Sequence, residues 1–234
     1  MSRVSPSSQS TTLETPDQLF PLIRHLSTRL TPLLARTPLT PNQITALSLL
    51  IGFGGAALFA LGDWAADIAG GLLLTLSYTL DNCDGEIARL KNMSSEWGAQ
   101  FDDLADWLVD SAFFAMLGVG VWSSTGGIIW LWLGIATTLG ATIDYVINLF
   151  LFARERKDPV QKTREEAAVD IRQPQDFLDW VIYIFHKLSR TDFCIIVLVL
   201  ALFDVTWILL PLGAVGAQVF WFTDMFQRAR GWHT

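Results

Sequence analysis

Histidine and cysteine are nearly missing from this chain, with 3 and 2 among 234 residues. His25, His186 and His233 are scattered and have no metal-site partner at suitable spacing, which removes the usual zinc donor sets. Cys83 and Cys194 fall near the same end of two apolar runs, so no disulfide framework is expected. Charge is also sparse: 17% of residues are charged and the net charge is −7, with no basic and aromatic surface for nucleic acid. No internal repeat or soluble second domain is visible. The opening stretch, residues 1–15, lacks the apolar core of a signal peptide and reads as a flexible cytoplasmic tail rich in Ser, Thr and Pro.

What the chain has is apolar length. Hydrophobic residues make up 51% of it and ten residues are Trp. Spans are expected near Asn42–Leu61, Ala66–Leu90, Trp97–Trp122, Ile128–Phe152, Thr191–Val205 and Trp207–Phe226, each close to the ~20 residues that cross a bilayer. The fold class expected is therefore an all-α membrane protein with six transmembrane helices. In that arrangement all 16 Lys and Arg fall on one side, in the N-terminus, the Arg89–Lys91 turn, the 154–190 connection and the tail. The opposite loops, around Gly62–Ala65, Ser123–Gly127 and Thr206, contain none. The positive-inside rule then puts both termini in the cytoplasm, in an inner (cytoplasmic) membrane protein with multiple passes.

Two interfacial segments flank the spans. Leu19, Phe20, Ile23, Leu26, Leu30 and Leu34 recur at helical spacing, so residues 16–36 read as an N-terminal amphipathic helix on the inner leaflet, ended by Pro32. A second such helix is expected over Asp176–Leu188. Residues 37–234 form the six-span domain.

The chemistry concentrates in residues 81–106. Asp81 and Asp84 are three apart and share a helical face with Gly85 and Ala88. Gly98, Asp102 and Asp106, four apart, line one face of a second helix, and the polar link Asn92 to Glu96 suits an antiparallel hairpin. Carboxylates at a membrane boundary are costly unless paired, protonated or bound to cations. Four oxygen donors from two facing helices suit Mg²⁺, Mn²⁺ or Ca²⁺ rather than zinc. A single Asp of this kind would read as a solvated helix cap; four on two stripes beside two glycines do not.

The pattern Asp81-x-x-Asp84-Gly85-x-x-Ala88-Arg89, eight residues, then Gly98-x-x-x-Asp102-x-x-x-Asp106 resembles the signature of the CDP-alcohol phosphotransferases at every fixed position. Thr40-Pro41-Asn42-Gln43-Ile44-Thr45 is similar to that family's entry to its first transmembrane helix. The resemblance covers residues from about 16 to the end. It implies transfer of a substituted phosphate from a CDP-alcohol to an acceptor hydroxyl with release of CMP, in phospholipid or polyol-phosphodiester synthesis. It further implies that Asp81, Asp84, Asp102 and Asp106 hold two Mg²⁺ or Mn²⁺ ions, and that Asp106 doubles as the catalytic base. Gly85, Ala88, Arg89, Gly98 and Asn42 would take the CDP moiety, and a homodimer is implied. Bare backbone at Gly85 and Gly98 lets a nucleotide approach closely, although helix packing accounts for such glycines equally.

The chain looks most like the branch containing di-myo-inositol-phosphate-phosphate synthases, in which CDP-inositol or CDP-diacylglycerol are the donors to weigh. Arg154 and Arg190 are candidates for an acceptor phosphate, with ordinary positive-inside anchoring as the competing explanation. Members that use inositol phosphate commonly carry a basic residue directly after the last motif Asp; here it is Trp107, which weakens the case for a phosphorylated acceptor. Two other readings stay open at this point: a Mg²⁺-dependent intramembrane prenyltransferase, and a cation transporter with acidic residues along its path.

Overall fold

The computed structural model describes residues 22–155 and 192–231, and every regular element among them is helical. In chain order these are α1 (Leu22–Ala35), α2 (Pro41–Phe59), α3 (Trp64–Leu90), α4 (Glu96–Thr125), α5 (Ile128–Glu155), α6 (Phe193–Leu202), a 3₁₀ turn (Thr206–Ile208) and α7 (Leu209–Gly231). The Asp176–Leu188 helix expected from sequence lies outside the described residues, as do Arg190 and residues 1–21.

Each helix that builds the site begins on a side-chain cap, because the first turn of a helix leaves backbone N–H groups unpaired. Thr40 opens α2 in a capping box: its hydroxyl accepts from Gln43 N at 3.4 Å while Gln43 Oε1 accepts from Thr40 N at 3.0 Å. Pro41 follows at the first helical position, where its missing N–H costs nothing. Asp63 caps α3 through Ala65 N and Ala66 N, both at 3.1 Å. Ser95 caps α4 through Gly98 N at 3.0 Å. α4 ends on Gly126 at φ 73°, the left-handed conformation that favours glycine.

Three helices are long and apolar enough to cross a membrane: Pro41–Phe59, Glu96–Thr125 and Ile128–Phe150. α3 has the length, 27 residues, or about 40 Å at 1.5 Å per residue. It is less apolar than those three, with Asp67, Asp81, Asp84, Glu86 and Arg89 along it. The apolar parts of the last two helices, Phe193–Leu202 and Thr206–Val219, are shorter than a full span.

α2 packs against α3 and α4, α4 against α5, α5 against α7, and α3 against α1 and α6. The larger of two buried clusters gathers α2, α3, α4, α6 and α7 around Phe59, Leu74, Phe113, Val197 and Leu210. Phe113 is its centre, edge-on to Phe59 and Phe114 at 5.0 Å each and to Phe193 at 5.6 Å. Close helix approach depends on glycine at a few points. A Cβ on Gly120 would stand 1.9 Å from the Phe59 carbonyl oxygen, and one on Gly52 would stand 2.6 Å from Val109 and 2.8 Å from the Ser77 hydroxyl.

α1 departs from expectation in one respect. Pro32 sits inside it and the helix continues to Ala35, because a proline near the C-terminal end removes only one of the last backbone bonds. The face it buries against the bundle is Ile23, Ser27 and Thr31. Leu26 and Leu33 are exposed, while Leu30 and Leu34 pack at the edge of a cluster around Ile44, Leu80, Cys83 and Ile87. The cause is Glu86 of α3, a buried carboxylate that needs donors. Ser27 Oγ donates to it at 2.9 Å and Thr31 Oγ1 at 2.6 Å. At the other end of α1, Asp192 caps the helix through Leu22 N and Ile23 N, both at 2.9 Å.

Candidate active site

α3 and α4 are joined by a five-residue turn, 91–95, in which Asn92 takes φ 54°. The hairpin sets the Asp81–Asp84 face against the Asp102 face. Ligand oxygens from Asp81, Asp84 and Asp102 all lie within 4.8 Å of one another. Among the described residues no other group of three His, Cys, Asp or Glu side chains comes so close. Asp84 is buried, while Asp81 and Asp102 are partly open.

Asp106, one turn further along α4, is exposed and bounds a small open pocket. Ser48, Ser77, Tyr78, Asp81, Ala105 and Val109 complete its wall. The negative charges of Asp106, Asp102 and Asp84 all bear on Asp81. Like charges this close repel unless a cation or protons intervene. The next carboxylate on the stripe, Asp110, accepts a hydrogen bond from the Tyr78 hydroxyl and so has a partner outside the cluster.

The donor set fits a hard divalent cation. It is all carboxylate oxygen, and Asp102 Oδ1 is buried without a hydrogen-bond partner, a costly state for a protein oxygen unless something else engages it. Cys83, inside the same stretch, is fully buried and turned to the Ser27 carbonyl at 3.7 Å, away from any ligand role.

Around this cluster, the structure brings some of the sequence candidates together. A Cβ on Gly98 would stand 3.2 Å from Asn42 Oδ1 and 3.0 Å from Ser95 Oγ, so Asn42 of α2 faces the bare backbone of α4. At Gly85 the nearest group is Arg89 Nη1, 3.5 Å from where a Cβ would be. Arg89 is exposed and Ala88 is half-buried beside it. Arg154 falls in the last turn of α5, and Arg190 lies outside the described residues. Trp107 stacks on Tyr145 of α5 at 4.9 Å and 14°, and its indole N–H donates to Thr142 at 3.3 Å. The helix contacts of Trp107 thus lie on the α5 side of the Asp stripe.

Thr45, which the sequence marks only as the end of the Thr40–Thr45 entry to α2 and to which it gives no role, reaches the cluster. Its hydroxyl donates to Asp84 Oδ2. Threonine in a helix ordinarily bonds its own backbone four residues back, which hides such a role.

A family model described as CDP-alcohol phosphatidyltransferase matches residues 38–221. The chain belongs to the CDP-alcohol phosphatidyltransferase family. Members of this family are enzymes that use a CDP-alcohol donor and an alcohol acceptor, and they are generally dependent on divalent metal.

Among curated relatives, the bifunctional IPC transferase and DIPP synthase of Aquifex aeolicus is 38% identical over 98 residues, 42% of this chain and 22% of that protein. The protein of the same name from Thermococcus kodakarensis is 33% identical over 147 residues, 62% of this chain and 32% of that one. The CDP-diacylglycerol–serine O-phosphatidyltransferase of Helicobacter pylori is 36% identical over 73 residues, 29% of this chain and 27% of that one. The matches thus span between about a fifth and a third of these relatives' lengths.

The apo crystal structure of the Mycobacterium tuberculosis phosphatidylinositol phosphate synthase PgsA1 superposes with a TM-score of 0.50 at 21% identity, covering 85% of this chain and 95% of that one. The all-helical architecture is therefore that of this family.

Proposed function

We propose that this family member catalyses transfer of a substituted phosphate from a CDP-alcohol to an acceptor hydroxyl, releasing CMP. The observation that carries the reading is the convergence of Asp81, Asp84 and Asp102 within 4.8 Å, around a buried Asp102 oxygen with no partner. In this reading Asp81, Asp84, Asp102 and Asp106 hold two Mg²⁺ or Mn²⁺ ions. Bound there, the metal neutralises the diphosphate and the charge that develops on the leaving CMP.

The chain's own groups do the rest. Gly85 and Gly98, with Asn42 facing the latter, leave backbone-lined room for the cytidine diphosphate, and Ala88 and Arg89 border its phosphates. The acceptor oxygen bonds to the β-phosphorus, the bond to the bridging oxygen breaks, and CMP departs with that electron pair. Asp106, at the edge of the pocket, takes the proton of the attacking hydroxyl.

Donor and acceptor are the open variables. The name of the Helicobacter pylori relative supports CDP-diacylglycerol as donor, and the resemblance to di-myo-inositol-phosphate-phosphate synthases supports CDP-inositol. Trp107, held by Tyr145 and Thr142, favours a neutral alcohol over a phosphorylated one as acceptor, with Arg154 and Arg190 as the counter-candidates for a phosphate. We further read residues 1–15 as a cytoplasmic tail, 16–36 as a juxtamembrane helix on the inner leaflet, and 37–234 as a six-span catalytic domain. Both termini and the site would then be cytoplasmic, in an inner-membrane homodimer.

The test is Mg²⁺-dependent CMP release by purified protein in detergent. CDP-diacylglycerol and CDP-inositol are offered separately with a pool of polar alcohols and phosphates, and Asp106→Asn is the blank. Release from one donor assigns the branch. No release from either, in protein that binds no CMP, overturns the reading.

A further inference from the structure

We propose that Thr45 is a positioning residue for Asp84: its hydroxyl fixes one carboxylate oxygen, and with it the plane of the carboxylate that α3 offers to the cation. The proposal rests on the metal reading above and extends it to a residue outside the motif. Thr45 is 2% exposed and Asp84 4% exposed, so neither has solvent to turn to. Asp84 sits among other negative charges, and a carboxylate so placed rotates away from its neighbours unless something holds it. The Thr45 hydroxyl donates to Asp84 Oδ2.

A hydroxyl has one proton, and the alternative acceptor is Pro41 O at 3.2 Å. Pro41 O stands four residues back, so the Thr45 backbone N–H already serves it. An ionised Asp84 is the stronger acceptor, since hydrogen bonds to charged oxygen are about twice as strong as neutral ones.

Thr45 is itself held in place. The capping box at Thr40–Gln43 fixes the first turn of α2. One turn beyond Thr45, Ser77 Oγ of α3 donates to Ser48 O of α2 at 2.7 Å. The two interhelical bonds run in opposite directions, one turn apart on α2 and two turns apart on α3, so sliding α2 against α3 breaks both. One turn further still, the space at Gly52 is closed by Ser77 and Val109. α2 thereby delivers the hydroxyl to Asp84 with little freedom.

The test is a Mn²⁺ titration of the purified full chain in detergent, followed by electron paramagnetic resonance, with the metal-free Tm of each variant recorded alongside. Loss of a hydrogen bond that orients a ligand typically weakens metal binding about 10- to 100-fold, and that is the loss expected for Thr45→Val. Thr45→Ser, which keeps the hydroxyl, should stay within about 2-fold of wild type. The double variant Thr45→Val/Asp84→Asn should bind no more weakly than Asp84→Asn alone, because the hydroxyl acts through that carboxylate. If the valine variant does not fold, Thr45→Ala takes its place in the cycle.

Unchanged Mn²⁺ affinity in Thr45→Val overturns the proposal. So does an equal loss in Thr45→Ser, or losses that multiply in the double variant. Wild-type protein that binds no Mn²⁺ overturns the metal reading itself, and the proposal with it.

Discussion

At the scale of single residues, the site asks different things of each carboxylate. Asp81→Asn, Asp84→Asn and Asp102→Asn each remove a charge from the converged trio, and CMP release should fall to the blank; wild-type turnover in any of them contradicts the assignment. Asp106 is not one of the three converged carboxylates but lines the pocket beside Asp81. Asp106→Asn should therefore cut kcat by about 10²- to 10⁴-fold, the usual worth of a general base. CMP binding, followed by calorimetry, should change much less. Gly98 makes a steric prediction. Valine there would press on Asn42 Oδ1 and Ser95 Oγ, so Gly98→Val should raise the donor KM more than it lowers kcat in steady-state CMP release.

These carboxylates were legible in the sequence because charged side chains at helical spacing beside apolar runs are expensive and so call for an explanation. Thr45 was not, because nothing in its spacing separates a hydroxyl that bonds its own helix from one that reaches across to another. Asp110 was visible as a continuation of the stripe, but its pairing with Tyr78 depends on α3 and α4 meeting in a particular register.

At the scale of elements, α3 and α1 form one unit. Glu86 accepts from Ser27 and Thr31, Lys91 Nζ donates to Thr37 O at 3.0 Å and Leu39 O at 2.9 Å, and Asp192 caps the start of α1. Glu86→Ala leaves two buried hydroxyls without their acceptor. Hydrogen bonds to charged groups contribute about 1.5–3 kcal/mol each, so a clear drop in Tm in detergent is expected. Limited proteolysis should cut earlier within 22–40 than in wild type; an unchanged Tm and cleavage pattern would mean that α1 is held by other contacts.

The leucine spacing marks α1 as a helix, and Ile23, Leu30 and Leu34 of that stripe do pack against the bundle, but Ser27 and Thr31 are buried beside them. Serine and threonine beside arginine look solvent-facing until the carboxylate that binds them is placed. The boundaries of α2, α3 and α4 were legible to within a few residues, since Thr40, Asp63 and Ser95 are strong caps.

At the scale of the whole molecule, topology is the sharpest expectation. The hairpin turn at 91–95 and the α4–α5 connection at Gly126 and Gly127 lie at opposite ends of α4. Cys83 and Cys194 are both fully buried, so the native thiols should remain silent towards a membrane-impermeant maleimide. In intact cells Ser124→Cys should label and Ser94→Cys should not, until the membrane is permeabilised. The reverse pattern would invert the proposed orientation. The family was readable from motif spacing alone, whereas donor and acceptor were not. They depend on walls contributed by several helices, and on residues such as Trp107, whose neighbours Thr142 and Tyr145 are far away in sequence.

The stretch from Asp81 to Lys91 has a pharmacological consequence. Asp81 and Asp84 belong to the converged carboxylate trio, Cys83 and Ile87 are fully buried, and Glu86 and Lys91 hold α1 and its link to α2. Almost every side chain in these three turns has an obligation that substitution breaks. An inhibitor that drew its affinity from this segment would leave the protein few single mutations by which to escape it, and resistance would have to arise on the α5 side, around Trp107 and Tyr145.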